Sequence, residues 1–324
     1  MQTPREVIHN TIAFNNPDRL GHSFPEPFGD DTCWSGFWPS PDARPNGGNG
    51  VDEWGAEWQN LGVCWLGEVK KHPLLSWDDW HKISVPDIRA GNRFDNIRGA
   101  RQRAGDLFLM GPGVSLYERA HYLRGLENVW ADLYENPGKL GALIDIFVDQ
   151  NLHIIGEYAQ EEYDGFILGD DWGLQNQLMI SPEKWREIWK PRYAKIFAAA
   201  HARGMKTLLH SCGHIVAILD DLIEIGLDVI QMDQQMNMGL ELLSERFVGR
   251  IAFYNPVDIQ AVMPRADPAE IRAYCRKMVK LLSTPRGGFI AKFYPDPKGV
   301  GHRQEAINVM CEEFLQISRE MYGA

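Results

Sequence analysis

The sequence predicts a (β/α)8 barrel carrying an irregular, tryptophan-rich segment on its N-terminal side. Three observations lead there. From about residue 105 onward, short apolar runs alternate with helical stretches, the pattern of a parallel sheet with right-handed crossovers. A length of 324 residues suits a closed eight-stranded barrel, which takes ~250 residues plus insertions, better than an open sheet. No glycine-rich dinucleotide or phosphate loop follows the first clear strand, which argues against a nucleotide-binding sheet. No internal repeat or linker divides the chain. The expectation is therefore one domain over 1–324, with 1–100 as an extension packed on the barrel.

Thr3-Pro4-Arg5-Glu6 reads as an N-cap, a proline at the first helical position and an acidic first turn, so a helix opens the chain. Residues 20 to 80 are irregular, with short strand candidates near Glu53-Trp54 and at Val63-Cys64-Trp65. The run Asp106 to Met110 is a strand ending in Gly111-Pro112-Gly113. A helix covers Leu140 to Leu152, and Gly165 to Leu168 makes the next strand, ending in Gly169-Asp170-Asp171-Trp172. One long helix is expected from Pro182 to Arg203, closed by Gly204. A strand to His210, a helix from Ile215 to Ile225 and a strand from Asp228 to Met232 follow. Then come a helix around Leu240 to Phe247, a strand Ile251 to Phe253, a helix from Pro268 to about Ser283, the strand Gly288 to Lys292 and a terminal helix.

Composition narrows the function. Apolar residues at 44% and charged residues at 24% are those of a globular chain with a sizeable core. A formal net charge of −11 disfavours nucleic acid or an anionic membrane as main partner. No apolar run approaches the ~18 residues of a membrane span, and MQTPREVIHN lacks the apolar core of a signal peptide. Five scattered cysteines, at 33, 64, 212, 275 and 311, make no disulfide framework, so a reduced, cytoplasmic setting is expected. Seven of the eleven tryptophans precede residue 81, where they either anchor irregular backbone or wall a flat, apolar substrate.

Asp170, Asp171, His210, Cys212, Gln231, Asp233, Tyr254, Asn255, Tyr294 and Asp296 all fall at or just past the C-terminal ends of predicted strands. In a barrel those ends form one rim, where catalytic groups collect. Within MKTLLHSCGHI, His210 and Cys212 are two residues apart and face the same way from a strand. An imidazole beside a thiol is half of a soft-metal site of the kind zinc favours, completed by ligands from elsewhere in the fold.

At these residues the chain resembles the uroporphyrinogen decarboxylase superfamily, which includes the cobalamin-dependent methyltransferases. The match begins at Thr3-Pro4-Arg5-Glu6 and Asn16-Pro17-Asp18-Arg19. It is strongest at Asp164-Gly165 through Gly169-Asp170-Asp171, Ile180-Ser181-Pro182-Glu183, His210-Ser211-Cys212-Gly213 and Gly287-Gly288-Phe289-Ile290. The resemblance implies a (β/α)8 barrel over nearly the whole chain. Decarboxylases of this kind hold porphyrinogen carboxylates with an arginine-rich N-terminal segment. Here GHSFPEPFGDDTCWSGFWPS has no arginine and carries Glu26, Asp30 and Asp31, so a polycarboxylate would be repelled. The His-x-Cys pair resembles the methyltransferase branch, where it binds zinc with a later cysteine. That cysteine is missing, and Lys292-Phe293-Tyr294-Pro295-Asp296 stands in its place. Cys275 and Cys311 belong to helices and are expected in the core. The third ligand is then sought first in Asp296, next in His302, with Tyr294 or an acid of Asp170-Asp171 as further options.

The resemblance implies transfer of a methyl group from a small donor to the cobalt(I) of a corrinoid protein. The aromatic N-terminal part and the missing thiolate favour an aryl methyl ether, of methoxyphenol type. Because phenols have a pKa near ~10, the departing oxygen needs a Lewis acid or a proton. Zinc at His210, Cys212 and a carboxylate would supply the first. Asp170, Asp171 or Tyr254 would supply the second as general acid. Trp172 is a candidate to stack on the ring, and Asn255, Tyr294 and His302 to bind substrate. No Asp-x-His-x-x-Gly carrier motif occurs, so the cobalamin belongs to a separate protein, and a homodimer is a further expectation. The alternatives are a methylcobalamin:thiol methyltransferase, a decarboxylase of a small acid, and a ligand-binding barrel without chemistry.

Overall fold

The computed structural model describes residues 1–45, 48–62 and 67–323. Helix α1 (Pro4–Ile12) opens with the expected capping box, in which the Thr3 side chain accepts from Glu6 N–H and the Glu6 carboxylate accepts from Thr3 N–H. Strands β1 (Gly21–Ser23) and β2 (Thr32–Trp34) follow at once. A small antiparallel sheet is made by β3 (Gly50–Val51), β4 (Glu57–Asn60) and β5 (Gly67–Lys71). Helix α2 (Ala100–Ala104) leads to β6 (Phe108–Pro112), then α3 (Tyr117–Arg124), α4 (Leu126–Glu135) and α5 (Pro137–Gln160).

Strict alternation begins with β7 (Gly165–Gly169), α6 (Pro182–Ile188) and α7 (Lys190–His201). It continues through β8 (Lys206–His210), α8 (Val216–Glu224), β9 (Val229–Gln231) and α9 (Leu240–Phe247). The last units are β10 (Ala252–Asn255), α10 (Pro268–Leu282), β11 (Phe289–Lys292) and α11 (Gln304–Tyr322). Eight strands pair in parallel in the order β1-β11-β10-β9-β8-β7-β6-β2, a nearly closed barrel with flanking helices. Its two end strands are drawn together where Asp31 N–H donates to His22 C=O at 2.9 Å.

Three sequence expectations need correction. The stretch 1–100 is not an appendage throughout, because β1 and β2 are barrel strands. At three residues each they are too short to show a period of two. Of the strand candidates before residue 80, Glu53-Trp54 is a turn, with Gly55 N–H on Asp52 C=O at 3.0 Å; Val63-Cys64-Trp65 lies outside the described residues. The single helix expected from Pro182 to Arg203 is two, broken at Trp189. Pro191 in the first turn of α7 has no N–H to continue the α6 ladder, and its ring would clash with the carbonyl four residues back.

The barrel interior is a closed apolar cluster of Ile8, Ile12, Phe108, Met110, Ile167, Leu208, Val229, Ala252, Tyr254 and Ile290. Two of these come from α1, which plugs the N-terminal end. A larger core fills the space between strands and helices and includes Cys275 and Cys311, both fully buried as expected. No helix among the described residues is long and apolar enough to cross a membrane.

Candidate metal centre at the barrel mouth

Side chains two apart on a strand share a face. Leu208, Val229, Ala252 and Ile290 point into the barrel, so the same face of β8, β9, β10 and β11 next presents His210, Gln231, Tyr254 and Lys292. On β8, β9 and β11 one layer is apolar and the next, nearer the mouth, is polar, while on β10 Tyr254 stays within the apolar cluster. This change within those three strands is what puts chemistry at the C-terminal end.

His210 is the last residue of β8, and the chain then turns so that Cys212 Sγ lies 3.5 Å from His210 Nε2. From the loop after β7, Asp171 Oδ1 comes within 3.3 Å of the same nitrogen. The loops are locked together by Cys212 N–H donating to Asp171 Oδ1 at 2.8 Å. Backbone contact is tight behind this point: an added Cβ on Gly213 would sit 2.2 Å from Gly173 C=O. Ligand atoms of Asp171, His210 and Cys212 all lie within 4.8 Å of one another, and among the described residues no other group of His, Cys and acidic side chains meets that condition.

These separations fit zinc. A tetrahedral ion with bonds of ~2.0–2.3 Å spaces its ligands roughly 3.3–3.8 Å apart, and three protein ligands leave one position open. Burial alone would raise the Asp171 carboxyl, but the His210 ring and the Cys212 donors outweigh it and hold the group below its ordinary range. Burial alone would lower His210, yet Asp171 and Cys212 raise it well above the usual imidazole value. Burial pushes the Cys212 thiol up, partly offset by His210.

A cavity of about 380 Å³ opens beside His210, lined also by Trp34, Trp38, Asp42, Pro112 and Ser115. Trp34 and Trp38 are 50% and 63% exposed, large apolar faces turned to solvent at the mouth. Of the N-terminal tryptophans these two line the cavity. The anchoring reading holds for Trp54 and Trp58, which are buried, with their indole N–H groups on Pro41 C=O and Asp52.

Several expected site residues have other work. Asp170 is fully buried and accepts from the N–H groups of Leu116 (3.0 Å), Tyr117 (2.7 Å) and Glu118 (2.9 Å) and from the Tyr193 hydroxyl (2.5 Å). It caps the start of α3, where the orphan helix N–H groups need an acceptor. Burial pushes its carboxyl up to about 7. Trp172 is fully buried too, stacked on Tyr117 at 4.2 Å between ring centroids, so it is core and not a substrate platform. Tyr254 packs inside the barrel, where burial raises its hydroxyl to about 12, and the Lys292 ammonium lies 5.5 Å from its ring centroid. Asn255 Oδ1 accepts from Met232 N–H at 3.1 Å, which braces β10 against the end of β9.

Asp296, the first-ranked third ligand, stands apart from His210 and Cys212; its Oδ1 accepts from Gly299 N–H at 3.2 Å and closes its own turn. His302 is tied by Nε2 to Ile259 C=O at 3.1 Å, with the Tyr294 ring against it. Tyr294 is half-buried, and its hydroxyl is raised by burial and by Asp233, with Cys212 and His210 also in its field. The arrangement joins Gln231 and Asp233, placed at the rim by the sequence but given no role there, to Lys292, which the sequence reading did not put forward. A lysine two residues beyond inward-facing Ile290 was the available signal.

A family model described as uroporphyrinogen decarboxylase (URO-D) matches residues 67–293. The chain belongs to the uroporphyrinogen decarboxylase family. Its barrel is similar to that of a methyltransferase from Methanosarcina mazei, with a TM-score of 0.66 and 15% identity over 100% of both chains. More distant barrels include a xylose isomerase-like protein from Mycobacterium smegmatis (TM-score 0.41, 12% identity, 72% of this chain and 80% of that one). Another is D-psicose 3-epimerase from Clostridium cellulolyticum H10 (TM-score 0.40, 10% identity, 70% and 84%). No curated protein sequence matches this one. Within the uroporphyrinogen decarboxylase family barrel, the mouth described here carries His210, Cys212 and Asp171, with His210 also lining the cavity.

Proposed function

We propose that this protein is a methyltransferase that moves a methyl group from a small aromatic methyl ether to the cobalt(I) of a corrinoid held by a separate protein. The observation that carries this reading is the convergence of His210, Cys212 and Asp171 beside a cavity walled by Trp34 and Trp38. The barrel likeness to a Methanosarcina methyltransferase supports it.

In the reaction the methyl–oxygen bond breaks, its electron pair stays on the oxygen, and the methyl carbon bonds to cobalt. Zinc held by His210, Cys212 and Asp171 would supply Lewis acidity to the departing oxygen. A single thiolate among the ligands donates less charge than two, which suits ether cleavage better than thiol activation. Trp34 and Trp38 give a flat apolar surface for the donor's ring. Burial and Asp233 raise the Tyr294 hydroxyl, which leaves it a hydrogen-bond donor. The acidic side chains near the mouth disfavour donors with several carboxylates. Asp170, with its lone pairs committed to α3, is left out of proton transfer.

The test is a donor screen with cobalt(I) cobalamin, followed by the change in its absorption on methylation, together with metal analysis. Methoxyphenols should be demethylated by the zinc-loaded protein, and His210→Ala and Cys212→Ala should each lose metal and activity. Full activity in a metal-free His210→Ala/Cys212→Ala double variant, or carbon dioxide release from a small acid with no need for cobalt, would overturn the proposal.

A further inference from the structure

Gln231, Asp233 and Lys292 lie outside the proposed ligand set, yet their contacts run in one line to His210. Strands β8 and β9 pair with His210 directly beside Gln231, so the two side chains share the inner face. His210 Nδ1 contacts the Gln231 amide oxygen. The other end of that amide, Nε2, donates to Asp233 Oδ1 at 2.5 Å. Asp233 is 2% exposed, and its Oδ1 faces the Lys292 ammonium at 3.5 Å.

Direction follows from the chemistry of each link. A carboxylate facing an ammonium offers only acceptor oxygens. It therefore draws the NH2 end of the Gln231 amide and leaves the amide oxygen for the imidazole. An oxygen accepts, so the proton belongs on Nδ1. Nε2 then faces the opposite side of the ring, where Asp171 Oδ1 and Cys212 Sγ lie at 3.3 and 3.5 Å, and would bind a metal there on giving up its own proton.

We infer that Lys292, Asp233 and Gln231 form a positioning chain that fixes the tautomer and ring orientation of His210 for metal binding. The inference rests on the metal reading above and assigns these three residues no contact with the reacting atoms. Partners of this kind behind a histidine ligand raise metal affinity by about 10–100-fold.

The test uses cobalt(II) as the metal, added to the full-length protein. Affinity is read by competition with a chelator, and geometry by the thiolate charge-transfer and d–d absorption bands. Gln231→Leu leaves the Asp233–Lys292 pair in place, and circular dichroism confirms its fold. It should weaken cobalt by about 10–100-fold and shift the d–d bands. Gln231→Glu, which keeps an acceptor oxygen, should restore most of the affinity. Asp233→Asn frees the amide to turn either way and should weaken binding; because Asp233 Oδ2 also stands 4.0 Å from His210 Nδ1, Gln231→Leu/Asp233→Asn should lose somewhat more than Gln231→Leu alone but less than the product of the two single losses. Wild-type affinity and spectrum in Gln231→Leu, or losses that multiply in the double variant, would overturn the positioning chain alone. A wild-type protein that shows no cobalt–thiolate band would overturn the metal reading and this inference together.

Discussion

Asp171 Oδ1 accepts the Cys212 backbone N–H at 2.8 Å while standing 3.3 Å from His210 Nε2. One oxygen thus joins the loop after β7 to the loop after β8. A main-chain donor cannot swing away as a side chain can, so the carboxylate is held on the side it shares with the imidazole and the thiol. The three groups are brought together by backbone contact, which would lower the reorganisation that binding an ion requires.

Asp171, rather than Asp296, is therefore the expected third ligand of the proposed metal site. Asp171→Ala should weaken zinc by more than the 10–100-fold typical of residues behind the ligands. Asp296→Ala should leave affinity unchanged, because its carboxylate serves the Gly299 N–H of its own turn. Chelator competition on the two variants decides between them; equal losses would show that the loop carrying Asp296 closes onto the ion.

The two kinds of tryptophan should behave oppositely. Trp38 is 63% exposed at the cavity, so Trp38→Ala should raise KM for an aromatic donor with a change in stability of no more than about 0.5 kcal/mol. Trp172 is fully buried against Tyr117, Trp185 and Trp189, with its indole N–H on the Tyr193 hydroxyl at 3.1 Å. Trp172→Ala should cost about 3–5 kcal/mol, read from denaturant unfolding. A KM effect from Trp172→Ala in protein that is still fully folded would contradict its assignment to the core.

These contrasts mark what the sequence could and could not reveal. Six of the eight barrel strands were legible because each is an apolar run closed by a polar or glycine turn, as in Gly165 to Gly169. Strands β1 and β2 were not, since three residues carry no periodicity and their neighbours are partners from distant parts of the chain. The rim position of His210 and Cys212 followed from spacing alone. Which of two adjacent aspartates faces that rim did not: Asp170 and Asp171 alternate in direction, and only the start of α3, more than fifty residues earlier, shows that Asp170 is taken. In the same way Trp172 reads as a site residue by position and is decided by Tyr117. Asp171 was one option among several for the third ligand, and contact with Cys212 N–H is what separates it from Asp296.

At the opposite end of the barrel, Asp164 supplies a pH dependence whose sign can be stated. It is 2% exposed, pairs with Arg5 at 2.7 Å and Arg101 at 2.7 Å, meets His9 at 3.0 Å and accepts Leu109 N–H at 2.8 Å. Burial raises its carboxyl, but His9, the Leu109 N–H and Arg5 together bring it below the ordinary value. A carboxyl lowered on folding binds fewer protons in the native state than in the unfolded one. Its stabilisation is complete above the unfolded value of about 3.9 and is lost as pH falls through the lower folded value. Asp164→Asn should lower the melting temperature at pH 7, by an amount corresponding to about 3–5 kcal/mol for one partner removed from a buried ion pair. The deficit should begin to shrink below pH 4, where the unfolded chain takes up the proton, and level off below the lower folded value, where the native protein loses the same charge. A deficit independent of pH would mean that Asp164 acts through its shape and the Leu109 hydrogen bond alone.

Gly213 tests whether the metal loop depends on close backbone approach. Its φ is +76°, and a Cβ there would lie 2.2 Å from Gly173 C=O, the residue two beyond Asp171. Gly204, at the end of α7, has nearly the same φ of +78°, but nothing lies within 4 Å of an added Cβ. Both substitutions to alanine incur the left-handed backbone cost of about 1–2 kcal/mol. Only Gly213→Ala must also push the Cys212 loop away from the Asp171 loop. Both variants should therefore melt lower than wild type, while Gly204→Ala keeps full metal affinity and Gly213→Ala loses most of it. Side-by-side unfolding curves and cobalt(II) titrations separate the two effects. If Gly213→Ala bound metal as wild type does, the contact between the two loops could not be what brings Asp171 to His210, and the site would have to be held together from the β8 side alone.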